Sequence, residues 1–159
     1  MGMSRIQFAT LADYPCHQQT VTDWLWQTFG HGASRAFYAA IVESSLRNEG
    51  LLLTFIALAG EKLFGTAGLW RCDLLSLQDL TPWLAALYID PPARGQGVGA
   101  ALQRHVMAYS RRAGFDVLYL YATFTGYYER HGWEYLGDGI DYPVQAVRLY
   151  RHRFAGSQA

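Results

Sequence analysis

Residues 84–100 read LAALYIDPPARGQGVGA, and the rest of the chain can be ordered around them. The run begins as an apolar strand and stops at Asp90-Pro91-Pro92, because proline cannot donate to a sheet and fixes φ. Three glycines then alternate with other residues at Gly95, Gly97 and Gly99. A helical pattern follows directly, so the sequence predicts a strand, a glycine-rich turn and a helix.

This arrangement suits a phosphate group. Glycine has no Cβ, so its backbone N–H can approach an anion closely and its φ can be positive. The first N–H groups of a helix have no partner within the helix and carry the positive end of its dipole. Arg94 adds a full positive charge beside the turn. We therefore expect a phosphate or pyrophosphate ligand.

Two motifs resemble those of the GNAT N-acetyltransferase superfamily. The chain has no Gly-Lys-Ser/Thr of a P-loop, and its G-x-G-x-G spacing differs from the G-x-G-x-x-G of dinucleotide folds. Arg94–Ala100 instead fits R-x-x-G-x-G/A, which resembles the acetyl-CoA pyrophosphate loop of that superfamily. Tyr127–Trp133, YYERHGW, looks like the F-Y-E-K-L-G-F segment that follows it in the same family.

Composition limits the class of protein. The 159 residues are 51% hydrophobic, which predicts one globular domain over 1–159 with a core at about 4–154. A formal net charge of zero argues against a nucleic-acid partner, and no apolar run predicts a membrane span. Cys16 and Cys72 form no C-x-x-C pair, and no histidine cluster has metal spacing. We expect a cytoplasmic protein with two buried or idle thiols and no metal.

The hydrophobic pattern predicts the order β-α-α-β-β-β-α-β-α-β-β. Ser34 is the expected N-cap of the second helix, whose inner face would hold Phe37, Ala40, Ile41 and Ser44. A short helix is expected around 125–131, and a turn at 137–141. This order is that of the GNAT fold, an α/β fold. The resemblance implies a mixed, mostly antiparallel sheet flanked by helices and splayed between strands 4 and 5.

The resemblance also implies how acetyl-CoA, the expected co-substrate, would be held. Its pyrophosphate would lie on Arg94, Gly95, Gln96, Gly97, Val98, Gly99 and Ala100. Its pantetheine arm would pair with the backbone of Leu87, Tyr88 and Ile89, as an added strand would. Many relatives carry an asparagine at the end of the fifth strand, which this chain lacks; Thr123 or Thr125 would substitute.

Tyr128 matches the tyrosine that this family commonly uses as general acid towards the departing sulfur. A phenol of pKa ~10 is neutral at pH 7 and can donate to a developing thiolate. The alternative is that Tyr128 packs against the cofactor or only donates a hydrogen bond. Tyr127, its neighbour, is expected to face the core.

No general base stands out. An aliphatic amine of pKa ~10 is almost wholly protonated at neutral pH, so a base or a water chain is needed. No acidic residue lies in 84–89 or 117–123, and Glu129 belongs to a segment usually at the surface. Asp138 and Asp141 could face the acceptor or be solvated turn residues. A water relay through Tyr88 or a main-chain carbonyl is an equal alternative.

The resemblance implies an acetyl-CoA-dependent N-acetyltransferase in which a small-molecule or peptide amine attacks directly. A non-catalytic acyl-CoA-binding module is the alternative, and O-acyl transfer or a longer acyl group is a weaker one. Many relatives dimerise, so a homodimer is compatible with the sequence. Aromatic residues, most of them in the first two helices and the last two strands, could line the acceptor site, although we expect most of them to belong to the core. They are Trp24, Trp26, Phe29, Phe37, Tyr38, Trp70, Tyr135 and Tyr142.

Overall fold

The computed structural model describes residues 5–47 and 50–155. Ser4, where the predicted core begins, lies outside these residues. The strands are β1 (Gln7–Thr10), β2 (Leu53–Ala59), β3 (Lys62–Trp70), β4 (Trp83–Ile89), β5 (Val117–Ala122), β6 (Glu134–Asp141) and β7 (Gln145–Arg153). The α-helices are α1 (Gln18–Phe29), α2 (Arg35–Ser44) and α3 (Val98–Arg112).

The strands form one seven-stranded mixed sheet in the order β1-β2-β3-β4-β5-β7-β6. Antiparallel pairs join β1 to β2, β2 to β3, β5 to β7 and β6 to β7. β4 and β5 are parallel, with Trp83 opposite Tyr119. The prediction of a mixed, mostly antiparallel sheet in an α/β fold is confirmed. The splay between β4 and β5 stays a prediction.

The chain is divided into two compact units. Unit 1 comprises Met1–Leu69 and Ala86–Val106, and its core packs α1, α2 and β2 around Leu11, Val21, Val42 and Ile56. Unit 2 comprises Trp70–Ala85 and Met107–Ala159, and one of its cores surrounds Trp83, Leu74 and Val147. That residues 1–159 act as one domain stays a prediction.

Helix α2 begins as predicted but buries a different face. The Ser34 side chain accepts a hydrogen bond from the Phe37 N–H at 3.2 Å, which confirms the N-cap. Phe37, however, is 56% exposed, and the buried side of this segment carries Val42 and Ser45 instead. The polar Ser45 can be buried because its hydroxyl donates to the Val42 carbonyl and accepts from Thr54.

Two predicted boundaries near the C-terminus are wrong. The expected turn at 137–141 lies within β6, so Asp138 and Asp141 are strand residues. The ladder continues because a bulge between Tyr135 and Gly137 absorbs the irregularity, and Gly137 adopts a φ of 128° there. The expected helix around 125–131 is a 3-10 helix limited to Tyr128–His131.

Candidate active site

The glycine-rich turn of unit 1 has the backbone that a phosphate cradle requires. Gly95 and Gly97 have φ values of 78° and 80°, where only glycine is unstrained. An added Cβ at either position would meet no atom within 4 Å, so the space above the turn is open. The first helical bond of α3 runs from the Ala101 N–H to the Gly97 carbonyl. In the described part of the chain, no backbone bond is donated by residues 95–100.

Arg94 is exposed and anchored at the mouth of this turn. Its Nε donates to the Ile89 carbonyl at 2.8 Å, and its guanidinium lies 5.5 Å from the centre of the Tyr88 ring. The Gln96 side chain donates to the Pro92 carbonyl, which ties the turn to the end of the strand. A positive charge is thus held beside the free N–H groups.

β4 is kinked just before the residues predicted to pair with pantetheine. Ala86 has a φ of 53°, which costs an L-residue roughly 1–2 kcal/mol. Leu87, Tyr88 and Ile89 follow it and are partly buried. Strain of this kind is common at functional sites, but the sequence Ala85-Ala86 gives no sign of it. Sequence reasoning therefore missed the kink.

Tyr128, in unit 2, has a buried ring at the start of its 3-10 helix. Phe124 stacks on it at 5.9 Å, and Tyr127, Trp133 and Tyr150 surround it. Burial, with the nearby Tyr127 and Tyr150, raises the pKa of Tyr128 to about 12. The Tyr128 hydroxyl makes no hydrogen bond to a described residue. Among those residues, every side-chain oxygen that is fully enclosed has a hydrogen-bond partner. The Tyr128 hydroxyl is therefore not fully enclosed and reaches solvent.

Glu129 fixes the surroundings of Tyr128. One carboxylate oxygen accepts from the Gly126 N–H at 2.8 Å and the other from the Tyr150 hydroxyl at 3.1 Å. Bonds from backbone N–H groups, led by its own, lower the pKa of Glu129. Thr123 and Thr125, the proposed substitutes for asparagine, are exposed in the same loop. Glu129 is at the surface, as expected, but it has a structural role that the motif did not reveal.

The candidate bases differ sharply. Asp138 is paired with Arg148 at 2.8 Å and accepts from the Tyr135 hydroxyl. That hydrogen bond and the arginine lower the pKa of Asp138, which makes it a weak base. Asp141 accepts from the Tyr121 hydroxyl at 3.3 Å. Asp73, which sequence reasoning passed over, has its pKa raised to about 7 by burial and by Asp141.

Most of the aromatic residues proposed for the acceptor site lie outside the core, contrary to expectation; Trp24 and Tyr38 pack against the core of unit 1. Trp26, Phe29, Phe37, Tyr135 and Tyr142 are exposed. Trp24, Tyr38 and Trp70 are partly buried. They stay candidates for acceptor contacts.

The described part of the chain offers neither a metal-binding cluster nor a membrane span. Within residues 5–47 and 50–155, no group of three or more His, Cys, Asp or Glu side chains could hold a metal ion. None of the described helices is long and apolar enough to cross a membrane. Cys16 is exposed and Cys72 is partly buried; both are free thiols.

Solved acetyltransferases share this fold. An aminoglycoside 6'-N-acetyltransferase complexed with coenzyme A has a TM-score of 0.76 at 13% identity, covering 96% of this chain and 99% of its own. Aminoglycoside 6'-acetyltransferase type Ii has a TM-score of 0.72 at 15% sequence identity, and the match covers 92% of this chain and 96% of that one. A GNAT family acetyltransferase from Elizabethkingia anophelis with acetyl-CoA bound has a TM-score of 0.66 at 12% sequence identity, and the match covers 94% of this chain and 99% of that one. These likenesses define the class of fold.

The family follows from the sequence itself. Residues 19–133 match the model of the Acetyltransferase (GNAT) family, which spans both motifs. The chain therefore belongs to the GNAT family of acetyltransferases. No curated protein sequence matches it.

Proposed function

We propose that this protein is an acetyl-CoA-dependent N-acetyltransferase that acts on a small-molecule or peptide amine. The observation that carries the proposal is the turn at Gly95 and Gly97, which presents unpaired N–H groups beside Arg94 at the start of α3. A pyrophosphate fits the charge and donor set of this turn. Two of the three solved acetyltransferases described above contain CoA or acetyl-CoA, which supports this choice of cofactor.

Each group has a separate task in this scheme. The turn and Arg94 hold the pyrophosphate, and the backbone of Leu87–Ile89 pairs with the pantetheine arm. A strand N–H would polarise the thioester carbonyl as an oxyanion hole does. Thr123 and Thr125 supply polar contacts from their loop. The amine then attacks the carbonyl carbon directly, and no acyl-cysteine is formed.

Tyr128 acts as general acid towards the sulfur that leaves. Its pKa of about 12 keeps the phenol protonated at any working pH. An ordinary cysteine thiol has a pKa of ~8.5, so complete proton transfer to such a thiolate would be uphill by roughly 5 kcal/mol. The hydrogen bond that forms as charge develops on sulfur is therefore the larger part of its contribution.

Calorimetric titration with acetyl-CoA tests the cofactor, with dephospho-CoA and ATP as controls. Micromolar affinity for acetyl-CoA is expected. Release of CoA thiol in the presence of 1,4-diaminobutane, kanamycin A or Ala-Ala then tests the transfer. Binding without turnover of any amine would favour the non-catalytic acyl-CoA-binding module, and no binding at all would refute both.

A further inference from the structure

The side chain of Arg94 turns back onto β4, the strand that precedes the glycine-rich turn. Its Nε donates to the Ile89 carbonyl at 2.8 Å, and its guanidinium carbon lies 5.5 Å from the centre of the Tyr88 ring. A hydrogen bond and a cation–π contact therefore hold the guanidinium. An exposed arginine normally samples many rotamers, and these two contacts restrict it before any ligand arrives.

The guanidinium held in this way keeps most of its donors. It has five N–H groups, and only the one on Nε is used within residues 5–47 and 50–155. No acidic side chain in those ranges forms an ion pair with Arg94. The four N–H groups on its terminal nitrogens therefore remain for a ligand. Their planar arrangement matches the paired oxygens of a phosphate.

The Tyr88 ring is fixed in turn by helix α1. The Trp24 ring lies 5.1 Å from it, at an interplanar angle of 46°. Trp24 packs against the core of unit 1, to which its helix contributes Val21 and Leu25. The position of the Tyr88 ring thus depends on the core, and the position of the Arg94 guanidinium depends on that ring. Trp24, Tyr88 and Arg94 all belong to unit 1.

These contacts use the ring of Tyr88 and not its hydroxyl. The hydroxyl forms no hydrogen bond with a described residue. Phenylalanine at this position would keep the π face beside Arg94 and the packing on Trp24. A role of the ring can therefore be separated by mutation from a proton relay through the hydroxyl, which the sequence left open.

We infer that Tyr88 and Trp24 form an aromatic platform that positions the Arg94 guanidinium for the cofactor's pyrophosphate. The inference rests on the proposed function, in which Arg94 binds that group. Because the guanidinium is already held, Arg94 loses less conformational freedom on binding, and affinity increases. The Ile89 carbonyl has two lone pairs, so it can accept from Arg94 and from the pantetheine arm together.

A double-mutant cycle tests whether Tyr88 acts through Arg94. Tyr88→Leu should weaken acetyl-CoA binding about fivefold by calorimetry, and Tyr88→Phe should bind like the wild type. Arg94→Ala should weaken binding roughly tenfold. In the Arg94→Ala background, Tyr88→Leu should cause no further loss, because no guanidinium remains to be positioned. Equal losses from Tyr88→Leu in both backgrounds, or no loss in either, would overturn the inference.

Fragments of the cofactor give a readout that general damage to β4 would not reproduce. Inorganic pyrophosphate and pantetheine are titrated as competitors of acetyl-CoA. Tyr88→Leu should raise the inhibition constant of pyrophosphate about fivefold and leave that of pantetheine unchanged, because pantetheine has no phosphate. Equal losses for both fragments would contradict the platform. Tyr14→Leu, which removes a ring packed against the same core, should affect neither.

A measurement on the wild type does not depend on the folding of any variant. Nuclear Overhauser contacts between the Arg94 side chain and the Tyr88 ring should be present in the free protein and should persist with acetyl-CoA bound. Their disappearance on binding would mean that Arg94 leaves the ring to reach the pyrophosphate, which would overturn the platform alone. A wild type that does not bind acetyl-CoA would instead refute the proposed function.

Discussion

A single hydroxyl separates Tyr128 from phenylalanine, so Tyr128→Phe isolates its chemical role. The ring would keep its stacking on Phe124 and its packing on Trp133 and Tyr150. Loss of the donor that we propose for the leaving sulfur should lower kcat about 100-fold. Acetyl-CoA affinity should change less than threefold. Steady-state kinetics and calorimetry measure the two quantities separately.

The control for this change is Tyr14→Phe. Tyr14 loses the same atom, its hydroxyl accepts a hydrogen bond only from the Gln7 side chain among the described residues, and it has no proposed contact to the cofactor or the acceptor. Its kinetics should match those of the wild type. Equal turnover in Tyr128→Phe would mean that Tyr128 only packs against the cofactor, the alternative that its sequence context left open.

Single residues also show where sequence reasoning succeeds and fails. Ser34 was predictable because capping is a local property of a helix start. Asp73 was not, because its burial and the nearby charge of Asp141, which is 68 positions away in the chain, arise only in the folded protein. Asp138 was weighed as a base, but an arginine on another strand binds it. The chemistry of a carboxylate depends on neighbours that are distant in the sequence.

At the level of elements, the turn between β4 and α3 should be the most sensitive part of the cofactor site. Gly97→Ala adds a Cβ that would have no atom within 4 Å, so this substitution causes no steric clash. The substitution destabilises the turn because a φ of 80° is unfavourable for an L-residue by about 1–2 kcal/mol. The turn should relax and its N–H groups should move. We expect acetyl-CoA affinity to fall at least tenfold by calorimetry.

Gly60→Ala is the matched control for that loss. Gly60 also has a positive φ, 60°, and open space around its Cα, but it lies in the turn between β2 and β3. Both variants should lose similar thermal stability, and only Gly97→Ala should lose affinity. Equal affinity in the two would remove the turn from the cofactor site.

The loop at 123–127 depends on Glu129 in a similar way. Glu129→Ala removes the acceptor of the Gly126 N–H and of the Tyr150 hydroxyl. Because the loop then loses two hydrogen bonds that fix it, it should become more mobile. We expect faster hydrogen exchange at Gly126 and a lower kcat through a less ordered Tyr128. Rescue of both by Glu129→Gln, which keeps an acceptor, would distinguish geometry from charge.

Two elements explain why a pattern of apolar residues is an incomplete guide. The residues predicted to face the core from α2 and those that do so have nearly the same helical spacing, but the observed set is shifted by one position along the chain. The choice was decided by Ser45, whose polarity is satisfied by Thr54 on β2. β6 continues through Gly137-Asp138-Gly139 because β7 supplies partners for it. In both cases tertiary contacts override a local preference.

For the whole molecule, Asp73 should leave its signature in the pH dependence of stability. Its pKa rises from 3.8 to about 7 on folding, so the folded state binds the proton more tightly than the unfolded state. The resulting stabilisation is complete below pH 3.8 and is lost as the pH rises through 7. At pH 8 the ionised carboxylate then costs on the order of 4 kcal/mol or less.

Asparagine cannot ionise, so Asp73→Asn should escape this penalty. Its melting temperature should exceed that of the wild type by several degrees at pH 8, and the difference should shrink at pH 5. Asp79→Asn, which changes an exposed aspartate of the loop that also holds Asp73, should follow the wild type at both pH values. A constant difference across this range would mean that the two states bind the Asp73 proton equally.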